Sequence, residues 1–244
     1  MAAAFFVLER AVSGAPATRA MGRAALAHGL IPRGQLVRRS WVGTAGRDAF
    51  RTNLLDALAG TKAADLDALA PEVVGPVVVG VHAGAYARLR AHAADGVDTY
   101  LLSAVPQPIV ERVAAALDMT GAIGTSLEVD TDGRFSGRLA GPYCCGDGRI
   151  EAVQKLAARE GYDLADCWAY ASSADDLPLL GSVGHPVVMN PDRSLAQDAE
   201  AAGWAALRFA PRHHLRATVA AGAAAGVMAV AAAAVLWLTR RPSA

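Results

Sequence analysis

The chain has 244 residues and 53% of them are hydrophobic, so it can bury the core of one main domain with a smaller insertion. Basic and acidic residues both number 23, and a net charge of zero indicates no general affinity for nucleic acid. The three cysteines, Cys144, Cys145 and Cys167, form a poor disulfide framework, and buried structural thiols explain them better than a metal site.

Strands and helices alternate along most of the chain. Short apolar runs predict buried strands at residues 3–8, 99–103, 167–171, 186–189 and 206–209. Helices are predicted at residues 81–94, 106–117, 148–160 and 175–180, and Asp132-Gly133 marks a hairpin within 127–139. This alternation predicts an α/β fold with a Rossmann-like parallel sheet, whose site lies beyond the carboxyl ends of the strands.

The stretch from about residue 18 to residue 70 has a different pattern. Leucines recur there at helical spacing, punctuated by Gly29, Pro32 and Gly60, and no strand is evident. We therefore predict an all-helical insertion over residues 14–81, while residues 1–13 and 82–211 form the α/β core.

Residues 217–238 form an uncharged apolar stretch near the C-terminus, long enough for a helix to cross a bilayer. The alternative is an alanine-rich helix that does not enter a membrane, since alanine contributes little to insertion. The apolar residues favour a single-pass C-terminal anchor, and without a signal-peptide pattern the globular part is expected in the cytoplasm. Gly222 and Gly226 have a spacing that permits a homodimer through the anchor.

Several segments in a fixed order carry a family resemblance. They are Phe5-Phe6-Val7-Leu8-Glu9, Leu101-Leu102-Ser103-Ala104, the hairpin Glu128 to Gly137, Gly146-Asp147-Gly148-Arg149, Ala169 to Pro178, Val183-Gly184-His185-Pro186 and Asn190-Pro191-Asp192. Together they resemble the haloacid dehalogenase (HAD) superfamily, in its phosphoserine-phosphatase-like branch. The resemblance implies that the helical insertion is a cap over the site.

The resemblance also implies phosphoryl transfer through an aspartyl-phosphate with magnesium. The family's first motif holds two aspartates, a nucleophile and an acid-base group, and this chain has Val7 and Glu9 at those positions. An isopropyl group cannot attack phosphorus or bind magnesium. Glu9 would have to do both jobs from an offset position, so the sequence predicts impaired catalysis.

The other motifs are partly kept. Ser103 occupies the place of the phosphate-binding hydroxyl, although a serine there also suits a helix cap, and with Ala104 and Arg149 it forms the predicted ligand site. Arg149 replaces the family's lysine and keeps the positive charge. The predicted magnesium residues are Glu9, Ser172, Asp175 and Asp176. Because Ser172 replaces an aspartate, and helix-start acids are common in any case, weak or lost binding is expected.

These residues lead to a hypothesis with two alternatives. The leading one is a membrane-tethered, HAD phosphatase-like protein that is catalytically impaired and binds a small phosphorylated ligand. The second is an active magnesium-dependent phosphomonoesterase resembling phosphoserine phosphatase. The third is a structural protein that uses the fold as a scaffold, because a fold does not by itself determine function.

Overall fold

The computed structural model describes residues 1–30 and 47–209, all within the first of two compact units of the chain, Met1–Phe209. The central strand of this unit, β1 (Ala3–Val7), is buried along its whole length, as its apolar sequence requires. Its aromatic residues pack on both neighbouring strands. Phe5 stacks on Tyr100 with centroids 5.9 Å apart, and Phe6 stacks on Tyr170 at 4.4 Å.

Six parallel strands form the main sheet in the order β3-β2-β1-β6-β7-β8. The other five strands are β2 (Asp98–Pro106), β3 (Gly121–Thr125), β6 (Trp168–Ala171), β7 (His185–Met189) and β8 (Ala205–Leu207). The order runs outward from β1 in both directions, so the carboxyl ends of β1, β2 and β6 are adjacent. The predicted α/β fold with a parallel sheet is confirmed.

The described helices are α1 (Ala17–Ala27), α2 (Arg47–Leu58), α3 (Ala63–Ala68), α4 (Ala70–Val79), α5 (Ala83–Ala94), α6 (Gln107–Ala116), α7 (Asp147–Glu160), α8 (Leu177–Leu180) and α9 (Arg193–Ala202). Helix α6 packs on β2 and β3, and α5 packs on β2. Strand β3 and helix α9 were not predicted from the sequence.

Between β1 and α5 the described regular elements are all helices, joined by turns and isolated bridges. Helix α4 of this segment packs against α1 and α6. The two connections of the segment to the sheet run side by side, since the Gly14 N–H donates to the Gly80 carbonyl at 3.1 Å and the His82 N–H donates to the Val12 carbonyl at 2.9 Å. The bounds 14–81 as a separate cap stay a prediction.

A two-stranded antiparallel hairpin, β4 (Leu127–Val129) and β5 (Phe135–Leu139), stands apart from the main sheet. It confirms the turn predicted at Asp132-Gly133. The hairpin is bonded to the helical segment through the main chain: Gly60 N–H to the Phe135 carbonyl at 2.8 Å, Phe135 N–H to the Thr61 carbonyl at 2.9 Å, and Ala63 N–H to the Gly133 carbonyl at 3.0 Å.

The predicted membrane location requires correction. Within the ranges 1–30 and 47–209, no helix is both long and apolar enough to cross a bilayer. The predicted span itself, 217–238, lies outside the described residues, as does the pair Gly222 and Gly226, and the homodimer stays a prediction. The physical reason for the error is composition, because an alanine-rich stretch is a weak membrane signal.

Candidate functional site

The first strand brings two of the predicted site residues to the edge where the strands end. Val7 closes β1, is 3% exposed and lies beside Leu102 of β2 in the sheet register. Beyond Leu8 the chain turns tightly, because the Ala11 N–H donates to the Glu9 carbonyl at 2.7 Å. The turn leaves the Glu9 side chain only partly exposed beyond the strand end.

Ser103, on the adjacent strand β2, is fully buried and donates its hydroxyl hydrogen bond to Oε1 of Glu9. Its oxygen also accepts the Val105 N–H at 3.3 Å. Burial raises the pKa of the Glu9 carboxyl above its ordinary value, and the opposing effects of Arg149 and Ser103 offset only part of the rise. Burial in this site therefore makes the charged form of Glu9 less favourable than it is for a carboxyl in water.

Ala104 lies next along β2 and is partly exposed, and its carbonyl accepts the Thr125 hydroxyl at 2.7 Å. Two residues later β2 ends at Pro106, which is the residue preceding the ten-residue helix α6. The first N–H groups of a helix have no partner within the helix, so this end of α6 is suited to an anion.

Arg149 lies in the first turn of α7 and is 4% exposed. Its guanidinium donates to Oδ1 of Asp176 and, through the other terminal nitrogen, to the Cys144 carbonyl at 3.1 Å. Its Nε is buried and has no hydrogen-bond partner among the described residues. Burial opposes the guanidinium charge, but the combined effect of Asp176, Cys144, Glu9 and Cys145 outweighs it, so the pKa of Arg149 is raised.

The backbone of the loop before α7 passes very close to residue 148, which is possible because Gly148 has no side chain. A Cβ there would lie 2.1 Å from the Tyr143 carbonyl oxygen, a distance that no side chain tolerates. Gly146, which precedes α7, has a φ of 54°, in the region that favours glycine. The two glycines thus set the backbone path that brings Arg149 into the site.

The fourth group of predicted residues follows β6. Ser172 is 1% exposed, and its hydroxyl donates to the Glu9 carbonyl at 2.9 Å. Asp176 is 3% exposed and holds Arg149. Asp175, by contrast, is exposed, and its N–H donates to the Ser173 hydroxyl that caps this turn. The structure brings Val7, Glu9, Ser103, Arg149, Ser172 and Asp176 together and places Asp175 at the surface.

The residues present do not fit magnesium. Val7 offers no ligand atom, the Ser172 hydroxyl is used by a backbone carbonyl, and Asp176 is paired with a guanidinium. Where the structure describes the chain, no group of three or more His, Cys, Asp or Glu side chains could hold a metal ion. Magnesium prefers several hard oxygen ligands in octahedral geometry, and this donor set lacks them.

Sequence reasoning missed the residues just before α7. Cys144 supplies the carbonyl that binds Arg149, while its buried thiol donates to the Ile123 carbonyl at 3.3 Å, as expected of a structural thiol. Tyr143 also belongs to the site, since burial and the charges of Cys145 and Glu9 raise the pKa of its phenol. Their position directly before Gly146 was the signal that could have identified them.

Comparison with known proteins gives a consistent family match. The model of a family described as haloacid dehalogenase-like hydrolase matches residues 4–181. A probable phosphatase of Mycobacterium tuberculosis (strain ATCC 25618 / H37Rv) is 35% identical over 257 residues, covering 98% of this chain and 89% of that protein. A phosphoserine phosphatase of the same strain is 35% identical over 190 residues, covering 75% of this chain and 61% of that protein.

A third relative is named differently. The inhibition of morphological differentiation protein of Streptomyces azureus is 31% identical over 267 residues, which cover 98% of this chain and 93% of that protein. Among solved structures, a protein of unknown function from Bordetella pertussis Tohama I has a TM-score of 0.68 at 24% identity, covering 84% of this chain and 97% of that one. An apo phosphoserine phosphatase has a TM-score of 0.59 at 15% identity, covering 87% and 96%. These structures show the fold.

Proposed function

The chain belongs to the haloacid dehalogenase-like hydrolase family, in its phosphoserine-phosphatase-like branch, and from this premise we propose that it binds a phosphorylated ligand without hydrolysing it. The observation that carries the proposal is Val7 at the end of β1, where the family places its nucleophilic aspartate. The isopropyl group can form no aspartyl-phosphate, because it has neither a nucleophilic atom nor a metal ligand.

Glu9 is a poor substitute for the missing nucleophile. It lies two residues beyond the strand end, and a displacement of about 1 Å can already cost on the order of 100-fold in rate. Its carboxyl accepts a hydrogen bond from Ser103, which occupies the Oε1 oxygen, and burial raises its pKa and so disfavours the charged, nucleophilic form. Both facts support loss of the chemical step.

Three features support binding of an anion. Ser103 lies on β2 three residues before Pro106, the residue that precedes the N-terminal end of α6. The buried Nε of Arg149 is a charged donor with no hydrogen-bond partner among the described residues, and an incoming phosphate oxygen would supply one. Burial raises the pKa of the Glu9 carboxyl, which lowers its tendency to carry a charge that would repel a phosphate.

Turnover of small phosphomonoesters by the full chain, with magnesium, tests the loss of catalysis. We expect the native chain to release no more phosphate than its Glu9→Gln variant, with an active phosphoserine phosphatase as the positive control. Clear native turnover that disappears in Glu9→Gln would establish the alternative, an active phosphomonoesterase, and make Glu9 its key residue.

Binding is tested separately by titrating the full chain with inorganic phosphate and with O-phosphoserine and following the melting temperature. Affinity should fall about tenfold in Ser103→Ala, the typical effect of losing one hydrogen bond to a charged group. Ser182→Ala is the matched control, because that hydroxyl donates to the Leu179 carbonyl at 2.7 Å. No response of the native chain to either phosphate would refute ligand binding.

A further inference from the structure

The positive charge in this site comes from a side chain of the protein, the guanidinium of Arg149. The Arg149 guanidinium is bonded to Asp176, and the two side chains are 5% and 3% exposed. By the family resemblance, Asp176 stands where relatives place a magnesium carboxylate. In this chain that carboxylate faces a guanidinium instead.

The charges near Arg149 balance without a metal. Asp176 supplies one negative charge that offsets the positive charge of Arg149 within the buried pair. A divalent cation added here would meet a site that already holds a buried positive charge. A magnesium ion bound to Asp176 would lie beside the buried guanidinium, and two positive charges so close in a buried site repel each other strongly.

The contacts of Arg149 use the shape of a guanidinium. One terminal nitrogen reaches Asp176 while the other reaches the Cys144 carbonyl at 3.1 Å, so the planar group bridges two elements. A lysine ammonium is a compact point charge on a flexible stem and does not present this fork. The arginine therefore holds Asp176 in a way that the family's lysine would not.

We infer that Arg149 is the resident cation of this site and excludes magnesium from it, even from a variant in which the missing carboxylates are restored. The inference rests on the proposed function in one respect, since it takes the native site to work without metal-assisted hydrolysis. It adds that the loss of magnesium has two causes. One is the absence of carboxylates at Val7 and Ser172, and the other is the pairing of Asp176.

The experiment compares three forms of the full chain: native, Val7→Asp with Ser172→Asp, and the same double variant with Arg149→Lys. Each is titrated with magnesium chloride by calorimetry and by melting temperature, against sodium chloride of equal ionic strength. We expect no binding by the native chain and at least tenfold tighter binding by the triple variant than by the double variant. Equal affinity of the double and triple variants would overturn the inference.

Variants that fold poorly still test whether Arg149 excludes magnesium. A triple variant that is unfolded in chelator but folds when magnesium is added supports the inference, whereas one that binds no magnesium in any condition refutes it. A double variant that magnesium refolds also refutes it. Because phosphate is absent throughout, failure of the phosphate titrations would overturn the proposed function and leave this result standing.

Discussion

Burial raises the pKa of the Glu9 carboxyl more than Arg149 and Ser103 lower it, and this has a consequence for stability. With its folded-state pKa raised, proton binding stabilises the native chain most below the ordinary value of 4.5. That stabilisation is lost as the pH rises through the folded-state pKa. A neutral amide of the same shape does not incur the loss.

We therefore predict that Glu9→Gln stabilises the chain at pH 7 by on the order of 1 kcal/mol and that the gain disappears near pH 4. Urea unfolding of the native chain and the variant at both pH values measures the difference. The exposed Glu200→Gln is the matched control, with little change expected at either pH. A variant less stable than the native chain at pH 7 would contradict the prediction.

The Arg149 and Asp176 pair is expected to matter far more to stability than any ion pair at the surface. Arg149→Met removes the cation and leaves the Asp176 carboxylate buried beside Glu9, which typically costs about 3–5 kcal/mol. Adding Asp176→Asn should recover much of this loss in urea unfolding. As control, Arg90→Met breaks an exposed pair with Asp118 at 2.6 Å and should have a much smaller effect.

At the scale of elements, the outer strand β3 is protected by a side chain. The Gln107 carboxamide, at the start of α6, donates to the Ala122 carbonyl at 3.1 Å and accepts the Gly124 N–H. Since β3 ends the sheet, these two backbone groups lie at its edge, where unpaired groups invite strands from other molecules. One glutamine thus replaces part of a neighbouring strand.

Gln107→Ala should expose that edge. We expect a loss of stability of about 1 kcal/mol and self-association that increases with protein concentration, measured by urea unfolding and sedimentation velocity. Gln154→Ala makes the same chemical change at an exposed position of α7 and is the control. If the variant sediments like the native chain at all concentrations and is equally stable, the carboxamide does not protect the edge.

The strands that the sequence predicted are those whose residues are apolar and branched or aromatic. Strand β3 escaped because it reads Gly-Ala-Ile-Gly-Thr, and glycine weakens a strand pattern. Yet Gly124 is needed there, because a Cβ would lie 2.7 Å from the Gln107 Cα. The ends of helix α9 are marked in the sequence by Asp192 and Gly203, and the prediction did not use these residues. In the structure the Asp192 side chain accepts the Leu195 N–H, and Gly203 has a φ of 70°.

The candidate site was predictable in position but not in its internal bonding. The order of the motifs identified Val7, Glu9, Ser103 and Arg149, and parallel topology then brings them to one edge. The sequence did not reveal that Arg149 would pair with Asp176, because a hydrogen bond between distant residues depends on side-chain geometry. Tyr143 was not identified for the same reason.

At the scale of the whole molecule, the net charge is zero, so we expect individual buried groups to determine how stability changes with pH. His92 of α5 bonds to the Tyr170 hydroxyl of β6 at 2.7 Å and lies 4.9 Å from the Trp168 ring. Burial lowers the pKa of His92 below its ordinary 6.5, against a smaller opposing effect of Asp95. As the pH falls, His92 is therefore protonated at a higher pH in the unfolded chain than in the folded chain.

The native chain should lose stability as the pH falls below about 6.5, by at most about 1 kcal/mol because partial exposure screens the charge. Glu9 acts in the opposite sense at lower pH. In His92→Gln the loss between pH 7 and pH 5.5 should be reduced, as measured by urea unfolding. His28→Gln, at an exposed pair with Glu72, should not reproduce this reduction; an identical effect of both variants would assign the pH response to other groups.

The hairpin contact limits how the helical segment between β1 and α5 can move. Its two chain connections and the packing of α4 on α6 already hold it to the α/β core. The three main-chain hydrogen bonds from residues 60–63 to residues 133–135 attach it to the hairpin as well. A movement of this segment away from the hairpin must therefore break backbone hydrogen bonds in addition to separating packed helices.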